Sequence, residues 1–295
     1  MKPAPFEFLA PRDLAGVLDA LATFGEDARV LAGGQSLVPL MNLRMVRPAA
    51  LVSINGCDDL DYIRVEDGRL ALGARVRQVQ AEESVLVGRE CPLLAAALPY
   101  CGPQATRNRA TVCGSLAHAD PVAELPAIAA ALDAEFEIVG KQGTRRVPAE
   151  SFFISELANS TEPGEMLAAV RFERAAAGER CAFLEVSNRR HGFAVAGVAL
   201  RLRLDAGGRC DFARIAMIGA GPVASRIRLA EEVLIGAVVG EAAIRAAAAA
   251  AVAAVRPPID IHTDADYRRH VLGVLLKRAL RQALEARPVS GEGAP

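Results

Sequence analysis

Apolar positions along the first fifty residues switch between two periods. Phe6 to Ala10 is a short apolar run that reads as a strand. Pro11-Arg12-Asp13 supplies a turn and a helix cap, and Leu14, Val17, Leu18 and Leu21 recur at the spacing of one helix face. Ala28 to Ala32 is a second β-type run, ending in Gly33-Gly34. Leu37 to Met45 returns to helical periodicity through Leu40, Met41 and Met45, and Leu51 to Ile54 reads as a closing strand. From about Cys57 the pattern changes. Tyr62 to Val65 and Arg69 to Ala74 flank Asp67-Gly68, which predicts a β-hairpin. Arg77 to Tyr100 is mainly helical with a break at Cys91-Pro92, and a helix is predicted from about Val122 to Leu132. Glu135 to Val139 and Thr144 to Val147 read as a further hairpin.

A second shift comes near residue 176, where Arg174 to Arg180 reads as a linker or long turn. Three candidate strands follow, Cys181 to Ser187, Val195 to Leu204 and Arg214 to Ile218. Helices are predicted from about Ser225 to Leu234, Glu241 to Val255 and Asp264 to Ala286. Strands followed by helices predict a separate α+β unit. The expected division is therefore 1–176, with parts of about 1–57 and 58–176, then 177–287, then a disordered tail over 288–295.

At 295 residues the chain can hold two domains, and its net charge of −1 offers no single-sign field for nucleic acid or anionic lipid. With no Trp and three Tyr it has few platforms for base stacking. The most apolar stretch, Glu241 to Val255, is mostly alanine and too short to span a bilayer. Its composition suits close helix packing, with a partner-facing surface as the alternative. The N-terminal residues lack the apolar core of a signal peptide, so a cytoplasmic location is expected. Cys57, Cys91, Cys101, Cys113, Cys181 and Cys210 form no Cys-x-x-Cys pair. They read as free thiols rather than zinc or iron–sulfur ligands. His118, His191, His262 and His270 lack metal-ligand spacing, and no nucleophile–base–orienter set emerges. Chemistry is thus expected to belong to a cofactor.

Two glycine-containing segments carry the chemical signal. In Leu31-Ala32-Gly33-Gly34-Gln35-Ser36-Leu37 a strand ends, two glycines follow and a helix begins near Ser36. That arrangement suits an anion at a helix N-terminus, but taken alone a Gly-Gly turn capped by Ser36 is more often structural. In Thr111-Val112-Cys113-Gly114-Ser115-Leu116-Ala117-His118-Ala119-Asp120-Pro121, donors surround Gly114, and Asp120 and Glu124 open the expected helix. This reads as a ligand loop or as an ordinary turn with acidic residues favoured by the helix dipole. A third stretch, Gly219-Ala220-Gly221-Pro222-Val223-Ala224, has the outline of a dinucleotide fingerprint. No βαβ unit continues from it and Pro222 lacks an N–H, so it is read as a structural turn.

The two segments together, in this order and spacing, resemble the FAD-binding medium subunit of the molybdenum hydroxylases, the family of carbon monoxide dehydrogenase medium subunits and xanthine dehydrogenase FAD-binding subunits. Arg189-Arg190-His191-Gly192-Phe193-Ala194-Val195-Ala196-Gly197 is similar to the family's C-terminal domain. The resemblance spans Phe6 to about Leu284. It implies an α+β fold: a two-part FAD-binding domain of the PCMH or vanillyl-alcohol-oxidase-like type, then a smaller C-terminal domain with an antiparallel sheet and helices. It implies that Ala32, Gly33, Gly34, Gln35, Ser36 and Leu37 cradle the FAD diphosphate and that Thr111, Cys113, Gly114 and Ser115 meet it from the other side. It places Asp120 and Glu124 toward the ribityl or isoalloxazine region, and Phe193 at the ring; Phe193 alone reads equally as a core aromatic. Two positions depart from the family pattern. Cys113 stands where glycine is usual, so strain is expected if that backbone needs positive φ, and Ala110 also replaces a common glycine.

The implied partners are a large molybdopterin subunit and a small subunit with [2Fe–2S] clusters, assembled as a dimer of heterotrimers. The chain itself would pass electrons through FAD to an external acceptor, with no catalytic residue and no metal of its own. The alternatives are a stand-alone FAD-dependent oxidoreductase of the same superfamily and a flavin-free assembly or scaffold subunit.

Overall fold

The structure is a computed structural model and describes residues 2–189, 192–259 and 263–290. Three short parallel strands come first, Glu7–Leu9, Ala50–Ser53 and Ala28–Leu31, with Ala50–Ser53 in the centre and wholly buried. Helix Leu14–Phe24 makes the crossover between the outer two, and the Asp13 carboxylate accepts from the Gly16 N–H at 2.8 Å, as a capping residue should. The next helix is shorter than its apolar period suggests. It runs Leu37–Asn42 and stops where Arg44 takes a φ of +60°, so Met45 falls outside it and faces solvent.

Five antiparallel strands form the second sheet in the order Ile63–Glu66, Arg69–Gly73, Met166–Glu173, Glu135–Gly140, Gly143–Pro148. Both expected hairpins are present in it, and Asp67 and Gly68 both take positive φ at the first turn. Its central strand, Met166–Glu173, has no alternating pattern because almost every residue is buried, the signature of a strand covered on both faces. The Arg171 guanidinium, buried within it, is paired with Glu66 and Asp67 at the hairpin tip. The helical stretch after Arg77 is broken twice, at Ser84 as well as at Cys91-Pro92.

Strands Glu179–Ser187, Ala194–Leu204 and Cys210–Ile218 form an antiparallel meander. Alternate residues serve two cores. Val198, Leu200, Ile215 and Met217 pack with helices Glu241–Ala254 and Ala265–Glu285, while Phe183, Ala199, Ala216 and Ile218 pack toward the N-terminal half. Helix Glu124–Ala131 lies against that second face, and all eight of its residues are buried. Helix Glu241–Ala254 packs against helices Arg228–Leu234 and Ala265–Glu285, and its Ala247, Ala248 and Ala251 are buried in the C-terminal core. At the chain end, Val289 is tied down rather than loose: its N–H donates to the Glu179 carbonyl at 2.7 Å and its carbonyl accepts from Gly178 at 3.0 Å. The rest of the expected disordered tail, 291–295, lies outside the described residues.

Candidate cofactor site

The first glycine segment leaves strand Ala28–Leu31 and enters helix Leu37–Asn42. Gly34 has a φ of +74°, a left-handed conformation that costs a side chain roughly 1–2 kcal/mol. The helix ladder starts with Val38 N–H to Gly34 O at 3.1 Å and Leu40 N–H to Ser36 O at 3.3 Å. The N–H groups of Gly33, Gly34, Gln35, Ser36 and Leu37 therefore have no acceptor among the described residues. Ser36 occupies the cap position, but its hydroxyl caps nothing, contrary to the plain-turn reading. Five successive free donors at a half-buried turn are what an anionic group needs.

The second segment is a helix start rather than a loop. Helix Val112–His118 begins at Thr111, whose buried hydroxyl accepts from the Gly114 N–H at 2.9 Å. The Val112 N–H donates to Val76 O and the Ser115 N–H to Thr111 O, so this segment's backbone donors are largely committed. It offers the Ser115 side chain and the Cys113 N–H.

The two segments touch. A Cβ at Gly33 would stand 2.7 Å from the Ala110 Cα and closer still to the Arg109 carbonyl oxygen, so only glycine lets the chains meet. Ala32 and Gly114 face each other across the same junction. Arg77 fastens it: one guanidinium nitrogen donates to the Arg109 carbonyl, the other to the side-chain oxygen of Asn55. Asn55 in turn donates to the Ala32 carbonyl at 3.1 Å, and the Gln78 N–H donates to Ala110 O at 2.9 Å. Burial, then the nearby Arg109 and Arg75 guanidiniums, push the Arg77 pKa down. Neither Arg77 nor Asn55 lies in a recognisable motif. Replacing Arg77 by alanine removes two charge-assisted hydrogen bonds of about 1.5–3 kcal/mol each and should weaken FAD retention at least about tenfold, measured by fluorescence titration. Lysine should not restore it, because the planar fork is what reaches two acceptors.

Cys113 lies within the helix at ordinary φ, so the condition under which cysteine would be strained there is not met. Its thiol points into the core toward the Leu72 carbonyl at 3.6 Å, and burial pushes its pKa up to about 12. Cys113 should stay unlabelled by iodoacetamide in the native protein, and Cys113→Ala should keep flavin, both read by mass spectrometry and absorbance. Asp120 is outside any helix; its carboxylate accepts from the Val122 N–H at 2.9 Å in a local turn. Glu124 is the first residue of helix Glu124–Ala131 and is buried, which raises its carboxyl to about 7. Phe193 is 76 % exposed just before strand Ala194–Leu204, so it is not a core aromatic. Arg190, His191 and His262 lie outside the described residues.

The Gly219–Ala224 turn follows an antiparallel strand and donates from Gly219 N–H to Pro121 O at 3.2 Å, a structural contact rather than a βαβ phosphate turn. Among the described residues no helix is long and apolar enough to cross a membrane, and no group of His, Cys, Asp and Glu is arranged to hold a metal ion.

Residues 4–172 match the FAD binding domain in molybdopterin dehydrogenase, and residues 182–283 match the CO dehydrogenase flavoprotein C-terminal domain. The chain is 39% identical over 289 residues to the 6-hydroxypseudooxynicotine dehydrogenase complex subunit alpha of Paenarthrobacter nicotinovorans, covering 98% of each chain. Its structure superposes on a chain of carbon monoxide dehydrogenase from Hydrogenophaga pseudoflava lacking the Mo-pyranopterin moiety, with a TM-score of 0.93, 35% identity and 97% and 99% coverage. It superposes on quinoline 2-oxidoreductase from Pseudomonas putida 86 with a TM-score of 0.91, 34% identity and the same coverage. The free donors of Gly33–Leu37 and the side-chain-free junction fit an FAD diphosphate, and the chain belongs to the FAD-binding medium subunits of the molybdenum hydroxylases, a family of oxidoreductases.

Proposed function

We propose that the chain is the electron-transfer subunit of a three-subunit molybdenum hydroxylase. It would take electrons from the [2Fe–2S] clusters of a small partner, after substrate oxidation on a large molybdopterin subunit, and pass them to an external acceptor. Bound FAD supplies the ability to accept and release electrons, and the protein supplies the binding. The N–H groups of Gly33, Gly34, Gln35, Ser36 and Leu37 would hold the diphosphate, with Ala32 and Gly114 leaving room for it. Thr111 would keep the opposing helix start in shape, and Ser115 and the Cys113 N–H would add polar contacts. Asp120 and Glu124 would face the ribityl or ring region, and the exposed Phe193 would cover the ring. The cofactor-binding unit would be 1–176 and the C-terminal unit 177–287, within a dimer of heterotrimers in the cytoplasm.

The observation that carries this reading is the run of five unpaired N–H groups held against Arg109 and Ala110 by the Arg77–Asn55 clamp. The test is the visible absorption spectrum of the purified chain, with the released cofactor identified by chromatography. FAD near one per chain supports the reading. A folded, colourless protein that also refuses added FAD overturns it.

A further inference from the structure

Helix Val112–His118 brings Ser115 and the Cys113 N–H to the junction with Gly33, and it has only seven residues. A helix that short does not hold its shape in water unaided, so both of its ends have to be fixed from outside. Thr111 fixes the first turn. The last turn is fixed by a hairpin whose Asn159 lies 42 residues beyond the helix residue it binds. Strands Phe153–Ser155 and Ala158–Asn159 form that hairpin, with Phe153 opposite Asn159. Its root is anchored in the core. Phe153 packs edge-on against Phe136 at 5.6 Å and Phe152 at 5.1 Å, and the Ser160 N–H donates to the Phe152 carbonyl at 2.9 Å.

Two donors from the hairpin meet carbonyls at the end of the helix. The Leu157 N–H donates to the Ala119 carbonyl at 3.2 Å, and the Asn159 amide nitrogen donates to the Ala117 carbonyl at 2.6 Å. Leu157 and Ala119 both take left-handed φ, +57° and +55°, which residues other than glycine keep only where neighbouring structure holds them. The other end of the Asn159 amide fixes its orientation. Its Oδ1 accepts from the Thr161 N–H at 2.8 Å and from the Thr161 hydroxyl at 2.6 Å. A backbone N–H can only donate, so the amide oxygen faces Thr161 and the nitrogen faces the helix. Arg145 holds the segment in turn, donating to the Ser160 carbonyl at 2.6 Å and to both Glu165 carboxylate oxygens.

We propose that Asn159 is a positioning residue for the cofactor: it holds the last turn of helix Val112–His118 and thereby sets Ser115, and the turn through Asp120, against FAD. The proposal rests on the cofactor reading above. Ser115 is two residues before Ala117, about 3 Å along the helix axis, so a displacement of the last turn reaches it directly. With Thr111 and Asn159 at its two ends the helix meets Gly33–Leu37 at one angle. Without the Asn159 donor the Ala117 carbonyl loses its partner from the hairpin, and the helix can tilt about its contact with the first segment.

The experiment is FAD titration of the purified full chain, with hydrogen exchange of the 112–119 amides read by mass spectrometry. Asn159→Asp is nearly isosteric: it keeps the oxygen that Thr161 donates to and removes the donor to Ala117. It should raise the FAD dissociation constant about tenfold, roughly the worth of one hydrogen bond, and speed exchange over 112–119. Ser160→Ala is the control from the same segment. The Ser160 hydroxyl is buried without a hydrogen-bond partner, so its loss should leave both readings unchanged. Thr161→Val removes one of the two bonds that orient the amide and should move both readings the same way, by about two- to threefold. It carries the test if Asn159→Asp does not fold. Faster exchange with unchanged FAD affinity, or no change in either reading, overturns the positioning role alone. A wild type that takes up no FAD overturns the cofactor reading and the positioning role with it.

Discussion

Gly33→Ala should cost the chain about tenfold to a hundredfold in FAD affinity while leaving it folded. The added methyl would stand 2.7 Å from the Ala110 Cα and press on the Arg109 carbonyl, both backbone atoms with no rotamer to yield. Small-to-large changes at such contacts cost about 1–3 kcal/mol, and each 1.4 kcal/mol is tenfold in affinity. The strain falls on the junction itself. Parting the two segments would loosen the Arg77 bridge and move the free donors of Gly33–Leu37 away from Ser115. Gly88→Ala is the control: nothing lies within 4 Å of a Cβ there, and alanine in that helix should be neutral or stabilising by up to about 1 kcal/mol. Fluorescence titration with FAD, alongside thermal melts, separates the two variants. Unchanged FAD affinity in folded Gly33→Ala would remove this junction from the cofactor site.

That junction shows where sequence reading stops. The first glycine pair is a local signal, legible because a strand end, a special φ and a helix start each restrict residue type over a few positions. The hairpins around Asp67-Gly68 and at 135–148, and the C-terminal meander, were legible for the same reason: turn chemistry and period-2 alternation sit within one window. Arg77 and Asn55 were not, since an arginine that joins residues 22 and 32 positions away leaves no periodicity. Strand Met166–Glu173 escaped because burial on both faces erases alternation. The second segment looked like a loop because of Gly114, yet glycine in a first helical turn is compatible with the helix when Thr111 supplies the cap. Val289 pairs with strand residues over a hundred positions away, which a polar tail composition could not disclose.

Arg201→Met should be the most damaging single change to stability, at about 3–5 kcal/mol, the usual cost of stranding one partner of a buried ion pair. Arg201 and Glu179 are 1 % and 3 % exposed, joined by two hydrogen bonds of 2.9 and 3.1 Å. The same guanidinium reaches Glu173 at 2.8 Å and the carbonyls of Ala131 and Arg174, so it ties the C-terminal sheet to the end of strand Met166–Glu173 and to helix Glu124–Ala131. Methionine fills much of the volume but leaves the Glu179 charge without a counter-ion in the interior. One consequence separates this account from simple loss of packing. Glu179→Gln combined with Arg201→Met should recover part of the loss, because the glutamine leaves no stranded charge, whereas two packing defects would add. Urea unfolding of wild type, the two single variants and the double variant measures it. Additive losses would assign Arg201 a packing role and leave Asp133, which binds Arg214 at 2.6 Å and Arg226 at 2.9 Å, as the ion-pair tie between the sheet and the N-terminal half.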